Sequence, residues 1–283
     1  MHTDESEHIE RAKHYPFAIP DRSYVFANKQ ALPLVSLGDD PLALKTMIIE
    51  EPGRGRRALN DFASDRGIAE EELTAQRTPV LCYASNTSLE ALVRKFEPVR
   101  QDVVIPVVEG MLKDFDAVFS AHISSYGSIP ATLQRSPGTE LRVFMLTMTE
   151  RQLEIMHRSE GPYSFVELDE LELTLGGSDI RRSAYTYISR NGAALVKGSE
   201  TALSTLPAKH RRFKASTEIE LLSWMRDELA PASAIDEFIL EQILEPEIRT
   251  RRTEWLHDRA EPFAWDHWRR SKDLAEASQQ ETH

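Results

Sequence analysis

The chain has 283 residues, 41% hydrophobic and 28% charged, with 12 Gly and 15 Pro. That suffices for a sizeable core and excludes disordered, collagenous and coiled-coil compositions. A net charge of −12 argues against a bulk nucleic-acid binder, because phosphate binding needs a surplus of Lys and Arg on one face. The lone cysteine, Cys82, leaves no internal disulfide or multi-cysteine zinc site and fits a reducing cytoplasmic compartment.

The opening MHTDESEHIERAKHYPF is acidic and His-containing, unlike the basic cap and apolar run of a secretory signal, so none is expected. No uncharged apolar stretch approaches the roughly 20 residues of a membrane helix, so a soluble protein is expected. Residues 1–77 form an N-terminal extension of mixed pattern. Pro and Gly punctuate Tyr15 to Pro41 and the Arg-rich Gly53 to Arg57, which reads as a loop of solvated arginines or an anion grip. Short helices are expected at Arg57 to Arg66 and around Glu70 to Leu73.

From Thr78 the pattern changes. Pro79 to Tyr83 has strand length, and Leu89, Leu92, Val93 and Phe96 recur at helical spacing, so Ala84 to Thr87 form a strand-to-helix turn. Strands are expected at 103–108, 117–121, 131–133 and 141–146, bounded by Gly110, Pro130 and Ser136-Pro137-Gly138. Thr149-x-x-Gln152 is a capping box opening a helix that stops near Gly161-Pro162. Further strands are expected at 165–175 and 184–196, the latter folded at Asn191-Gly192. Beyond Lys214 the pattern reads as wholly helical, with Thr217-x-x-Glu220 and Ser233-x-x-Asp236 as starts. This 214–283 extension holds sixteen Asp/Glu against nine Lys/Arg, so it supplies most of the net charge. Trp255, Trp265 and Trp268 within it read as docking anchors.

The nine histidines show no i, i+4 pair and no clustering with cysteine, so no metal is expected. Cys82, between Leu81 and Tyr83 in a strand, is a small buried hydrophobe or a nucleophile. Tyr83-Ala84-Ser85-Asn86 is the sharper signal. Small residues let a ligand approach the backbone, and amides at a helix start suit an anion; Ser85 or Asn86 as a plain helix cap explains the same letters. Glu160 falls where the Thr149 helix gives way to a strand. It is either a proton carrier held at a helix C-terminus or a solvated acid.

The order of motifs resembles the gamma-glutamylcyclotransferase-like family across residues 78–213. The motifs are Tyr83-Ala84-Ser85-Asn86, Gly110-Met111-Leu112, Ala131-Thr132-Leu133, Ser136-Pro137-Gly138, Gln152-Leu153 and Ser159-Glu160-Gly161. The resemblance implies an α+β fold in which a small mixed β-barrel carries packed helices and one cavity, with the helical extension appended. It implies a cofactor-independent enzyme converting a gamma-glutamyl amide or amine to 5-oxoproline and a free amine. Glu160 would be its general acid/base. Tyr83, Ala84, Ser85, Asn86 and Tyr163 would bind substrate. The chain departs from the pattern at Ala84, where the family usually has glycine. The expected partner is a small gamma-glutamyl molecule rather than nucleic acid or membrane, with a homo-oligomer possible through the tail. Two other readings stand beside this one: an inactive barrel serving as a binding module, and an amide hydrolase or acyltransferase using the same cavity.

Overall fold

The computed structural model describes residues 2–38, 43–99 and 102–271, so residues 272–283 of the expected acidic extension lie outside the described residues. The fold of the described residues is mixed α+β, with eight α-helices among a large set of strands. The chain packs as two compact units, each gathered from three stretches. Among the described residues, one comprises those of 2–17, 114–141 and 188–266; the other comprises those of 18–113, 142–187 and 267–271.

The second of these units holds every residue predicted for the site. Its sheet includes Tyr24–Ala27 lying antiparallel between Gln30–Ser36 and Val104–Phe119. Thr78–Cys82 runs antiparallel to Ala131–Met148 and parallel to Ala184–Ser189. Outer ladders end in the short strands Gly55–Ala58, Asp179–Arg181 and Trp268–Arg270. The sheet therefore stays open, which corrects the expected closed barrel.

Two periodicities meet in this unit's core. Alternate residues of four strands point one way, giving Tyr24 and Phe26, Val80 and Cys82, Ile105 and Val107, and Phe144, Leu146 and Met148. Leu92 and Phe96 from the helix Leu89–Phe96, and Leu153 and Met156 from the helix Glu150–Arg158, join the same cluster. These two helices carry the residues that matter for chemistry. Both begin at side-chain caps: Ser88 Oγ accepts from Ala91 N–H at 3.1 Å, and Thr149 and Gln152 exchange both bonds of the capping box that the sequence predicts.

Two expectations about the strands change. Those broken at Gly110 and at Ser136-Pro137-Gly138 are continuous, as Val104–Phe119 and Ala131–Met148. Gly110 sits in mid-strand opposite Leu175, where a Cβ would meet the Thr174 carbonyl at 2.7 Å; its small size serves close strand approach rather than termination. The Arg-rich loop is the turn of a hairpin, Ile48–Glu51 with Gly55–Ala58. Its Arg54 and Arg57 pair with Asp65, and Arg57 also pairs with buried Glu51, so internal acids occupy the charge that an anion would need.

In the other unit, strand Ser199–Leu203 lies parallel to Lys214–Ser216 and precedes the helices Glu218–Leu229, Ile235–Leu244 and Pro246–His257. The region beyond Lys214 is thus not wholly helical, since Lys214–Ser216, Ala260–Glu261 and Trp268–Arg270 are strands. The second helix starts one residue later than Ser233 implies, because Glu237 reaches back to the Ala234 N–H at 3.2 Å. Trp255 packs on Trp224 at 5.3 Å between ring centroids, and Trp265 meets Phe115 edge-on at 5.0 Å. Trp268 stays 39% exposed on its strand.

Candidate functional site

The strand Thr78–Cys82 delivers the loop that follows it into the core. Tyr83 and Ala84 are buried, and Ser85–Thr87 form a single 3-10 turn. The Ala84 carbonyl closes that turn by accepting from Thr87 N–H at 2.9 Å and from Thr87 Oγ1 at 2.8 Å. Ala84 has φ −142°, so the backbone makes no demand for glycine's left-handed freedom. The Tyr83 hydroxyl donates to the Tyr187 carbonyl at 2.6 Å, which spends its proton on holding the loop to the neighbouring strand. Ser88, not Ser85 or Asn86, is the cap of the following helix, so the side chain of Asn86 is released for another task.

That task is visible at Glu160. The helix Glu150–Arg158 ends at Ser159, and Glu160 N–H donates to the His157 carbonyl at 3.0 Å. The Glu160 carbonyl then accepts from Tyr163 N–H at 2.8 Å, so a tight double turn fixes the backbone on both sides of the carboxylate. Its Oε1 accepts from Asn86 Nδ2 at 3.1 Å and from Lys95 Nζ at 2.6 Å, with Ser159 Oγ at 3.4 Å. All of these contacts fall on Oε1. Side-chain exposure is 10% for Glu160 and 13% for Lys95, so the pair is shielded without being sealed.

Beside Lys95, the carboxylate also faces the thiol of Cys82 and the phenol of Tyr187. Burial pushes the Cys82 thiol up, and the Glu160 charge adds to that rise while Lys95 opposes it. Burial likewise raises the Tyr187 phenol, again with help from Glu160; Tyr187 OH and His157 Nδ1 are hydrogen-bonded at 2.8 Å. Cys82 is accordingly a buried neutral thiol, with no character of a nucleophile. Tyr163 opens the strand Tyr163–Leu168, and its ring packs against the core cluster. A groove of about 700 Å³ borders the site at Lys95 and Ser159 and continues between Val99, Arg151, Ile155 and Arg158. Among the described residues, no group of three or more His, Cys, Asp or Glu lies together as a metal site, and no helix is long and apolar enough to cross a membrane.

A structural neighbour is a gamma-glutamyl cyclotransferase. The match covers 72% of this chain and 99% of that one, at 14% identity and a TM-score of 0.35. No family profile matches the sequence, and no curated protein matches it.

Sequence reasoning named Tyr83, Ala84, Ser85, Asn86, Tyr163 and Glu160. The structure brings Asn86 into contact with Glu160 across 74 residues of chain. It gives Tyr83 a role inside the fold, and it places Tyr163 through a backbone bond to Glu160. Sequence reasoning missed Lys95. Its position in the last turn of the helix Leu89–Phe96 reads as an ordinary solvated cation favoured by the helix dipole, and nothing local reveals a partner 65 residues away. Tyr187 and His157 were missed for the same reason.

Proposed function

We propose that Glu160 is the acid/base centre of a cyclotransferase-type reaction on a gamma-glutamyl amide or amine. Glu160 takes a proton from the substrate's alpha-ammonium group, and the freed nitrogen attacks the substrate's own gamma-carbonyl carbon. The new C–N bond closes a five-membered lactam and the old C–N bond breaks; the proton held by Glu160 and the second proton shed by the attacking nitrogen pass to the departing amine, which leaves as an ammonium ion. Atoms balance with no cofactor: 5-oxoproline and a free amine leave. Ring closure is intramolecular, so holding the substrate bent removes much of the barrier.

The observation that carries this reading is the unequal use of the two Glu160 oxygens. Lys95 and Asn86 hold Oε1, which fixes the carboxylate while leaving Oε2 to exchange a proton. Asn86 links the Tyr83 to Asn86 loop to it, and the bordering groove offers room for the amine half of a substrate. In the test, purified protein is incubated with a panel of gamma-glutamyl amines and amino acids. Wild type should release 5-oxoproline, and Glu160→Gln, which keeps size and polarity, should lower the rate by about 100-fold or more with an unchanged circular dichroism spectrum. No release across the panel, or equal rates for the two proteins, overturns the proposal.

A second reading follows from the same ion pair. A carboxylate neutralised by a lysine and shielded from water is also what a purely structural contact requires. In that case the fold is a binding module, Glu160→Gln costs stability, and no substrate is turned over.

A further inference from the structure

Lys95 is the feature that the motif order does not account for. Its ammonium has three acceptors: Glu160 Oε1 at 2.6 Å, Ser159 Oγ at 2.6 Å and Met156 Sδ at 3.3 Å. All three lie in the last turn of the helix Glu150–Arg158 or just past it, so Lys95 sits at that helix's C-terminus while belonging to the last turn of its own helix. Both helix ends are negative poles that favour a cation and disfavour an anion. Glu160 alone in that position would face the wrong end of the dipole.

We propose that Lys95 is the positioning residue of this site: its ammonium grips Glu160 by Oε1 and so keeps the carboxylate oriented for the substrate amine. The inference rests on the reading of Glu160 as the acid/base group. The groups facing Glu160 are few. Asn86 comes from the loop, Ser159 from the helix end, Cys82 from the strand Thr78–Cys82 and Tyr187 from the strand Ala184–Ser189. His157 stands one hydrogen bond further off, behind Tyr187. Cys82 and Tyr187 are held neutral by burial, and Asn86 and Ser159 carry no charge, so the lysine supplies the positive charge. A one-ended grip also matters geometrically. A lysine bridging both oxygens would block the proton path, whereas contacts confined to Oε1 orient the group and leave it reactive.

The test is Lys95→Met, which keeps the aliphatic stem against the helix and removes the charge. Loss of the charge should lower kcat by roughly tenfold or more and leave KM within about twofold. Lys95→Arg should restore most of kcat. A side chain that only packs would move the melting temperature and leave kcat where it was; kcat within about twofold of wild type overturns the proposal. A binding-independent measurement separates this idea from the reading it rests on. If wild type turns over no substrate, the acid/base reading fails, and NMR relaxation of the Glu160 side-chain carbons still decides the role of Lys95: the side chain gains motion in Lys95→Met if the lysine holds it, and unchanged ordering refutes it.

Discussion

Ala84 places a methyl group where the resembled motif usually has glycine, in the loop that delivers Asn86 to Glu160. The concern raised by that substitution is a forbidden backbone angle, and the observed φ of −142° removes it. The methyl is buried, 7% exposed, so the position gains a contact and loses chain freedom in the unfolded state. Ala84→Gly should therefore destabilise the protein by about 0.4–1 kcal/mol, read as a lower urea midpoint with an unchanged slope. A higher midpoint would mean that the loop is strained at Ala84. Asn86 and Glu160 were legible at this scale because each belongs to a short local pattern, a strand-to-helix turn and a helix end. Lys95 was not, because its meaning lies wholly in a tertiary neighbour.

The helix Glu150–Arg158 is the element that carries the carboxylate, and its first turn is tied into more than a cap. Thr149 and Gln152 exchange the two bonds of the capping box. The Gln152 amide also donates to Glu72 Oε1 at 2.5 Å, and its oxygen accepts from the Arg77 guanidinium at 3.2 Å. Arg77 in turn donates to the Val104 and Thr147 carbonyls at 2.9 Å each. Thr149→Ala removes one cap bond and should cost about 1 kcal/mol. Gln152→Ala leaves Glu72 and Arg77 short of partners in a part-buried site and should cost about 2–3 kcal/mol. Thermal or urea unfolding of the two variants checks the order, and equal losses would mean that the network contributes nothing beyond the cap. The capping box was legible because it is written within four residues. The hairpin of Tyr24–Ala27 with Gln30–Ser36 was not: Asn28 and Lys29 both adopt positive φ, 48° and 63°, yet only the asparagine is a familiar resident of that conformation. The long strands were hidden for a related reason. Gly110 and Pro137-Gly138 look like punctuation locally, while the ladder on either side keeps the strand going.

For the whole molecule, the net charge of −12 invites an account of stability through surface repulsion, but two buried groups dominate the expected pH dependence. His122 is 3% exposed, in contact with Ser120 Oγ at 2.6 Å, and burial lowers its pKa to about 4. The unfolded chain therefore takes up this proton more readily, so the contribution of His122 is present above about pH 6.5 and is lost as pH falls toward 4. Glu218 acts with the opposite sign. It is 2% exposed, its Oε1 accepts from Ile129 N–H at 2.6 Å, and its Oε2 has no hydrogen-bond partner among the described residues. Burial raises its pKa well above the ordinary carboxylate range, and the bond from Ile129 offsets only part of that. The folded protein must keep this proton, so the contribution of Glu218 is present below the unfolded value and is lost as pH rises toward the folded one. Over that window each unit of pH removes about 1.4 kcal/mol. Glu218→Gln retains an oxygen for Ile129 and never ionises. The variant should match wild type near pH 4.5, become more stable by about 1–3 kcal/mol at pH 7–8, and keep the acid-side loss that belongs to His122. Urea unfolding across pH 4.5–8 measures all three features. A variant that tracks wild type at a constant offset would show that Glu218 does not exchange its proton on unfolding.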